Sequence, residues 1–126
     1  SASGGMARET REIVGGEFLE EDVRHTLDEL VLGGRSGQRA LPPTTRIRNV
    51  FFDGEGEVTV DFSDHLRVDH PGGSAAEFAT LRCLASTLGA SFPGIDRIRI
   101  LVDGETVSTL AGHADLSRPL RVKDYR

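Results

Sequence analysis

The sequence predicts an α+β fold: a two-layer sandwich in which two helices cover one face of a small, mainly antiparallel or mixed sheet. Two observations support this: segments with helical periodicity alternate with short strand-like segments, and Asp-Gly turns join the strands. A chain of 126 residues has the size of one domain. We assign residues 10–126 to that domain and residues 1–9, which contain SASGG before Met6, to a flexible tail or expression scar.

The first part of the chain reads as a strand followed by a helix. Arg11–Val14 is a candidate short strand that ends at a pair of glycines. Apolar residues then recur at spacings of four, four and three, which places them on one helical face: Leu19, Val23, Leu27 and Leu30. Glu20, Arg24 and Asp28 are expected to face water. Gly33-Gly34 is expected to end this helix, and a polar loop continues to residue 43.

Two strands of a hairpin follow. Thr45–Phe52 is rich in β-branched and aromatic residues, and Asp53–Gly56 supplies the turn. Glu57–Ser63 alternates, which is typical of a strand with one buried and one wet face. The buried positions would be Val58, Val60 and Phe62, and the wet positions Glu57, Thr59 and Asp61.

The second helix is expected to begin at Ser74, after a polar loop over Asp64–Gly73. Ser74 and Glu77 have the spacing of a capping box, in which each side chain accepts a hydrogen bond from the other residue's backbone N–H. The core stripe of this helix would contain Phe78, Leu81, Leu84, Ala85 and Leu88, and Gly89 lies near its end.

The last third of the chain predicts a second hairpin. Arg97–Val102 reads as a strand with Ile98, Ile100 and Val102 on the core side. Asp103-Gly104 has the composition of a type I′ turn, in which both central residues need positive φ. Val107–Leu110 is expected to return antiparallel, and Leu120–Val122 is a candidate last strand.

Composition excludes several classes of function. The net charge of −5 argues against a nucleic-acid groove, which needs clustered Lys and Arg. The longest apolar runs are too short to cross a bilayer. Cys83 is the only cysteine, so a disulfide framework is excluded, and we expect it to be small and partly buried rather than nucleophilic. No cofactor is expected.

One short stretch has the composition of a hydrolytic triad. Ser108, His113, Asp103 and Asp115 all lie within LVDGETVSTLAGHADLS. A triad needs the histidine in hydrogen-bond reach of both the serine and the acid. Ser108 would instead lie mid-strand without a glycine-framed turn, and Asp103 would belong to the hairpin turn. We therefore interpret the stretch as the end of a sheet with its closing loop.

Two Asp-His pairs in DHLRVDH form a second candidate. Imidazole and carboxylate together suit zinc or another divalent ion, which makes Asp64, His65, Asp69 and His70 candidate metal ligands. The pairs are five residues apart, which matches neither a helical nor a strand face. We therefore favour a solvated loop, with His70 held extended before Pro71, and assign no metal site.

The predicted strands also carry candidate interaction residues. Arg46, Arg48, Arg97 and Arg99 would line one open sheet face if the two strands were neighbours; the alternative is a solubilising face paired with Glu57 and Asp61. Adjacent residues of a strand face opposite ways, so one member of Phe51-Phe52 is exposed, and we assign Phe52 as the candidate anchor. His113 and Asp115 are further candidates in the closing loop.

Several segments, in this order, resemble the GerMN domain of sporulation and spore-germination proteins. They are DELVLGG (Asp28–Gly34), LPPTTRIRNV (Leu41–Val50), GEVTVDFS (Gly56–Ser63), FPGIDRIRILVDG (Phe92–Gly104) and LAGHADLSRPL (Leu110–Leu120). The resemblance implies an extracytoplasmic bacterial protein, often anchored to the membrane in its full-length form. It also implies a fold similar to ring-building motifs. The family has no established catalytic residues, so none is carried over.

We therefore expect a non-enzymatic protein-interaction domain of a cell-envelope or sporulation assembly. Its partners would be other envelope or sporulation proteins or copies of itself, with no nucleic acid. Two alternatives stay open from the sequence. One is a metal-dependent or serine hydrolase acting at the cell wall, and the other is a small module that binds wall glycan or peptide.

Overall fold

A computed structural model describes residues 16–33 and 40–125. Its elements in chain order are α1 (Gly16–Val31), β1 (Ile47–Phe52), β2 (Glu57–Phe62), α2 (His65–Val68), α3 (Ser74–Ser91), β3 (Arg97–Val102), β4 (Glu105–Thr106), β5 (Leu120–Arg121) and a 3₁₀ helix (Val122–Tyr125). The predicted strand Arg11–Val14, the tail over residues 1–9 and Gly34 lie outside the described residues.

The fold is the predicted α+β sandwich, with α1 and α3 as its two main helices. The sheet is mixed: β1 and β2 form an antiparallel hairpin, and β2 pairs in parallel with β3. The short strands β4 and β5 both pair antiparallel with β3, one at each end. A parallel pair needs a long crossover, and the segment containing α2 and α3 provides it between β2 and β3.

The core lies between the sheet and the helices, as the alternating pattern predicts. The inward residues of β2 and β3 are at most 4% exposed: Val58, Val60, Phe62, Ile98, Ile100 and Val102. The helices bury Val23, Leu27, Leu81, Leu84, Ala85 and Leu88 against them. Removing this apolar surface from water is the main favourable term for folding.

Both predicted turns form. Asp103 and Gly104 have φ of 50° and 81°, so the type I′ prediction is confirmed at the two positions that require positive φ. In the first hairpin the Asp53 carboxylate accepts hydrogen bonds from the backbone N–H of Glu55 and of Glu57, at 2.7 and 3.0 Å. The aspartate thus fixes the turn through its own side chain.

The water-facing side predicted for α1 is wrong at two positions. Glu20 and Arg24 are half-buried, because they bind the edge strand β1. The Glu20 carboxylate accepts the Phe52 N–H at 2.7 Å, and Arg24 donates to the carbonyls of Ile47 and Arg48 at 2.6 and 2.9 Å. An edge strand presents unpaired backbone groups, and here helix side chains satisfy part of them.

Asp61 and the segment after it also depart from the prediction. Asp61 was expected to be wet but is 3% exposed, and its Oδ1 accepts the Gly104 N–H at 2.8 Å. The predicted polar loop Asp64–Gly73 contains the short helix α2, whose Leu66 is fully buried. The carboxylate of Asp61 is buried because its hydrogen bond to Gly104 joins the end of β2 to the β3–β4 turn.

The predicted capping box at Ser74 is wrong. Gly73 is the N-cap residue of α3, its carbonyl accepts the Glu77 N–H at 2.9 Å, and no side chain caps the helix. Glu77 is fully buried instead of turning back to the cap. Phe78, which was placed in the core stripe, is 47% exposed because Glu77 occupies the inward position.

The end of the chain is less regular than predicted. The return strand is only Glu105–Thr106, and of the predicted Val107–Leu110 only Thr109 forms an isolated bridge, to Asp115. The last strand stops at Arg121, after which the chain turns into the 3₁₀ helix. In place of a longer strand ladder, the loop between β4 and β5 is held by side chains and by two backbone hydrogen bonds, from Leu110 to Ala114 and from Leu116 to Ser108.

The 3₁₀ helix packs closely against α3 at Gly89. A Cβ at this position would lie 2.4 Å from Cγ1 of Val122, which is 2% exposed. Gly89 therefore allows the end of the chain to approach the helix.

We expect Gly89→Ala to lower the free energy of unfolding by about 1–3 kcal/mol through overpacking, although alanine is the better helix former. The measurement is urea denaturation. The control is Gly89→Ala combined with Val122→Ala, which removes the obstructing methyl groups. The double variant should lose less stability than the sum of the two single variants; additive losses would show that the two residues do not meet.

Candidate functional site

The open face of the sheet, away from the helices, carries a line of residues in register. Phe51, Thr59 and Arg99 lie side by side across β1, β2 and β3. Glu57 accepts from Arg97 and from Arg99, with both Nε–O distances 3.2 Å. One carboxylate thus neutralises part of the charge of two arginines and holds both guanidinium groups next to each other on the sheet.

The four predicted arginines do not form one stripe, because β2 lies between β1 and β3. Arg48 pairs with Asp103 at 3.4 Å and lies 3.8 Å from Asp61. Arg46 donates to the Thr44 carbonyl at 3.4 Å. The alternative of a face paired with Glu57 and Asp61 therefore describes the observed geometry.

The exposed member of the aromatic pair is Phe51, not Phe52. Phe51 is 55% exposed on the open face, whereas Phe52 packs against the core. The reason is an irregularity of register between Ile47 and Asn49, which places two successive residues, Arg48 and Asn49, outside. The candidate anchor on this face is therefore Phe51.

The two Asp-His pairs are not brought together. Asp69 accepts from the Thr44 hydroxyl at 2.6 Å, and His65 Nδ1 hydrogen-bonds the Ser63 hydroxyl at 3.0 Å. The backbone N–H of Asp64 donates to Asp103 Oδ1 at 3.1 Å. Within the described parts of the chain, no three His, Cys, Asp or Glu residues are grouped to hold a metal ion.

His70 has both ring nitrogens engaged. The Gly72 N–H donates to Nδ1 at 2.9 Å, so Nε2 carries the proton and donates to the Thr80 hydroxyl at 2.8 Å. Thr80 in turn donates to the Ala40 carbonyl at 2.6 Å. Burial lowers the pKa of His70 below 6.5, although the charge of Glu77 opposes this. The neutral ring thus joins the chain before α3 to Thr80 within that helix, and the Thr80 hydroxyl in turn reaches the segment before β1.

A buried polar site with several hydrogen bonds surrounds Glu77. Its Oε1 accepts the backbone N–H groups of Ala111, His113 and Ala114, each at 2.9 Å. Its Oε2 lies 2.8 Å from Nδ1 of His113, whose side chain is 55% exposed. The loop over residues 111–114 thus wraps around one buried carboxylate of α3.

The hydrogen bonds determine the charge of this carboxylate. Burial alone would raise the pKa of Glu77, but the three backbone N–H groups and His113 outweigh it and lower the pKa to about 2. Glu77 is therefore ionised under ordinary conditions. A fully buried carboxylate that is ionised near neutral pH and accepts hydrogen bonds from three backbone N–H groups and His113 is suited to fixing the loop.

The residues that have the composition of a triad do not form one among the contacts of the described residues. The Ser108 carbonyl accepts the Leu116 N–H, and Asp115 accepts from the N–H and hydroxyl of Ser117, at 2.8 and 2.6 Å. His113 binds Glu77. Asp115 thus closes a turn with Ser117. Cys83 is half-buried as expected, and burial raises the pKa of its thiol.

Sequence reasoning missed Glu77 because the capping-box pattern accounted for it locally. A signal was present: Glu77 lies four residues before Leu81, seven before Leu84 and eleven before Leu88, on the face that becomes the core. A carboxylate on a buried helical face needs donors from elsewhere in the fold.

Comparisons with known proteins give one family. The family model described as Germane, sporulation and spore germination, matches residues 2–108. No curated protein matches the chain.

Within the described residues no helix is both long enough and apolar enough to cross a membrane.

The solved structures that resemble this chain include the following three. A candidate lipoprotein from Clostridium perfringens is 26% identical with a TM-score of 0.74, covering 83% of this chain and 70% of that one. The first GerMN domain of the sporulation protein GerM from Bacillus subtilis is 23% identical with a TM-score of 0.68, covering 87% and 83%. The tandem GerMN domains of GerM are 23% identical with a TM-score of 0.67, covering 82% and 38%.

We expect Glu77→Gln to lower the free energy of unfolding by about 1–3 kcal/mol near neutral pH, because neutral acceptors bind N–H groups less strongly than carboxylates. The folded pKa of Glu77 lies below its ordinary value of 4.5, so its contribution is fully present above pH 4.5 and is lost as pH falls towards about 2. Urea denaturation at a series of pH values measures this difference.

The matched control is Glu105→Gln, which removes an exposed carboxylate from β4. The control should follow the wild-type profile. A gap between wild type and Glu77→Gln that stays constant down to pH 2 would contradict the ionised, hydrogen-bonded carboxylate.

Proposed function

The chain belongs to the Germane family of sporulation and spore-germination domains, and we propose that it is a protein-interaction domain of a cell-envelope or sporulation assembly. Two relatives support the setting, a candidate lipoprotein and a sporulation protein. The lipoprotein description of the first relative supports an envelope location for this chain.

The observation that carries the proposal is Phe51 on the open sheet face. It is one of four large apolar side chains described as exposed, and the only one of them in a strand. Its strand β1 pairs with β2, and β2 pairs with β3, over a buried core. The backbone that carries the Phe51 ring is therefore held rigidly. Aromatic residues are enriched where proteins bind each other, because one ring buries a large area with little loss of entropy.

The surroundings of Phe51 suit selective contact with a protein. Arg99 lies one strand beyond Thr59, and its guanidinium shares Glu57 with Arg97. Half-exposed ion pairs of this kind give little stability, but they favour partners with complementary charge. The partner is another assembly protein or a second copy of the domain.

We expect photo-crosslinking from position 51 to capture one discrete partner in the native host. The variant carries p-benzoylphenylalanine in place of Phe51, and the adduct is identified by mass spectrometry in the envelope fraction. The reason is that a partner bound to the open face would cover this ring.

The matched control places the same group at Phe78, an exposed aromatic on α3. Position 78 should not give the same adduct. Absence of an adduct at position 51, or an identical adduct from both positions, would contradict the assignment of the open face.

A further inference from the structure

The outer edge of β1 leaves one residue with unpaired backbone groups. The Asp53 N–H donates to the Glu57 carbonyl, so by antiparallel alternation Phe51 and Asn49 also point their backbone groups at β2. Val50 and Phe52 therefore point outward. Glu20 accepts the Phe52 N–H, but the N–H and carbonyl of Val50 have no partner among the described residues.

A cleft opens at this point between α1 and β1. Its volume is about 300 Å³, and it is lined by Glu20, Glu21, Arg24 and Val50. The side chain of Val50 lies in the core, and the whole residue is only 8% exposed. Because the side chain points into the core, we take the outward-facing N–H and carbonyl of Val50 as its groups at the cleft.

The charge of the cleft is negative. Both terminal nitrogens of Arg24 are engaged, one with the Ile47 carbonyl and one with the Arg48 carbonyl. Glu20 uses one oxygen for the Phe52 N–H. Glu21 is exposed and has no partner among the residues that the structure describes. The cleft thus contains two carboxylates and one guanidinium that already donates to two carbonyls. This charge favours a cationic ligand.

We infer that this cleft binds a short extended peptide with a basic side chain. The peptide backbone pairs with the N–H and carbonyl of Val50, as in the addition of a strand to a sheet edge, and the basic side chain reaches Glu21. The flanking bonds of Glu20 and Arg24 limit the contact to about one residue of β1. The inference goes beyond the proposed function, since it concerns the edge of the sheet rather than the open face.

The test is an NMR titration of the ¹⁵N-labelled protein with acetylated, amidated Ala-Lys-Ala at millimolar concentrations. We expect the Val50 amide to shift the most. The matched peptide Ala-Glu-Ala should not bind, because it meets the carboxylates of Glu20 and Glu21. No shift at Val50 with the lysine peptide, or equal binding of both peptides, would overturn the inference.

Variants locate the charged contact. Glu21→Gln should weaken binding of the lysine peptide about two- to fivefold, as expected for one exposed ion pair, and Glu21→Lys should abolish it. Glu29→Gln is the control, because it removes an exposed carboxylate from the other end of α1. Unchanged affinity in Glu21→Lys would overturn the assignment of Glu21. The result does not depend on crosslinking from position 51, so failure of one proposal is distinguishable from failure of the other.

Discussion

The closing part of the chain depends on the buried carboxylate of Glu77. The loop over residues 111–114 has little strand pairing of its own, and three of its N–H groups bind this one side chain. Leu110 and Leu116, on either side of the loop, are at most 2% exposed and complete the core. An unpaired carboxylate would be costly at this depth, whereas a fully hydrogen-bonded one fixes the loop to α3.

The elements determined by neighbouring residues could be predicted from the sequence. The alternation in β2 and β3 and the Asp103-Gly104 turn are local patterns with a local cause, and both appear in the structure. Glu77 was not predictable in the same way, since its partners lie more than thirty residues away. A local capping pattern and a tertiary contact compete for one side chain, and here burial in the fold decides.

The candidate surfaces show the same division. Sequence alternation correctly required one exposed phenylalanine, but the register irregularity between Ile47 and Asn49 determined that it is Phe51. The arginines do not share one stripe as predicted, because β2 lies between β1 and β3 and separates them into two groups. The cleft at Val50 depends on how α1 crosses the edge of β1, which no short sequence pattern specifies. The family assignment was available from the order of several segments, whereas the interaction residues depend on strand order.

The central claim, that Glu77 holds the closing loop to the core, is tested most directly by native-state hydrogen exchange. The account predicts that the amides of Ala111, His113 and Ala114 exchange as slowly as that of Ile100 in β3, because the loop opens only when the core opens. In Glu77→Gln these three amides should exchange faster while Ile100 changes less. Rapid exchange of the three amides in the wild-type protein, at the rate of an open loop, would contradict the account.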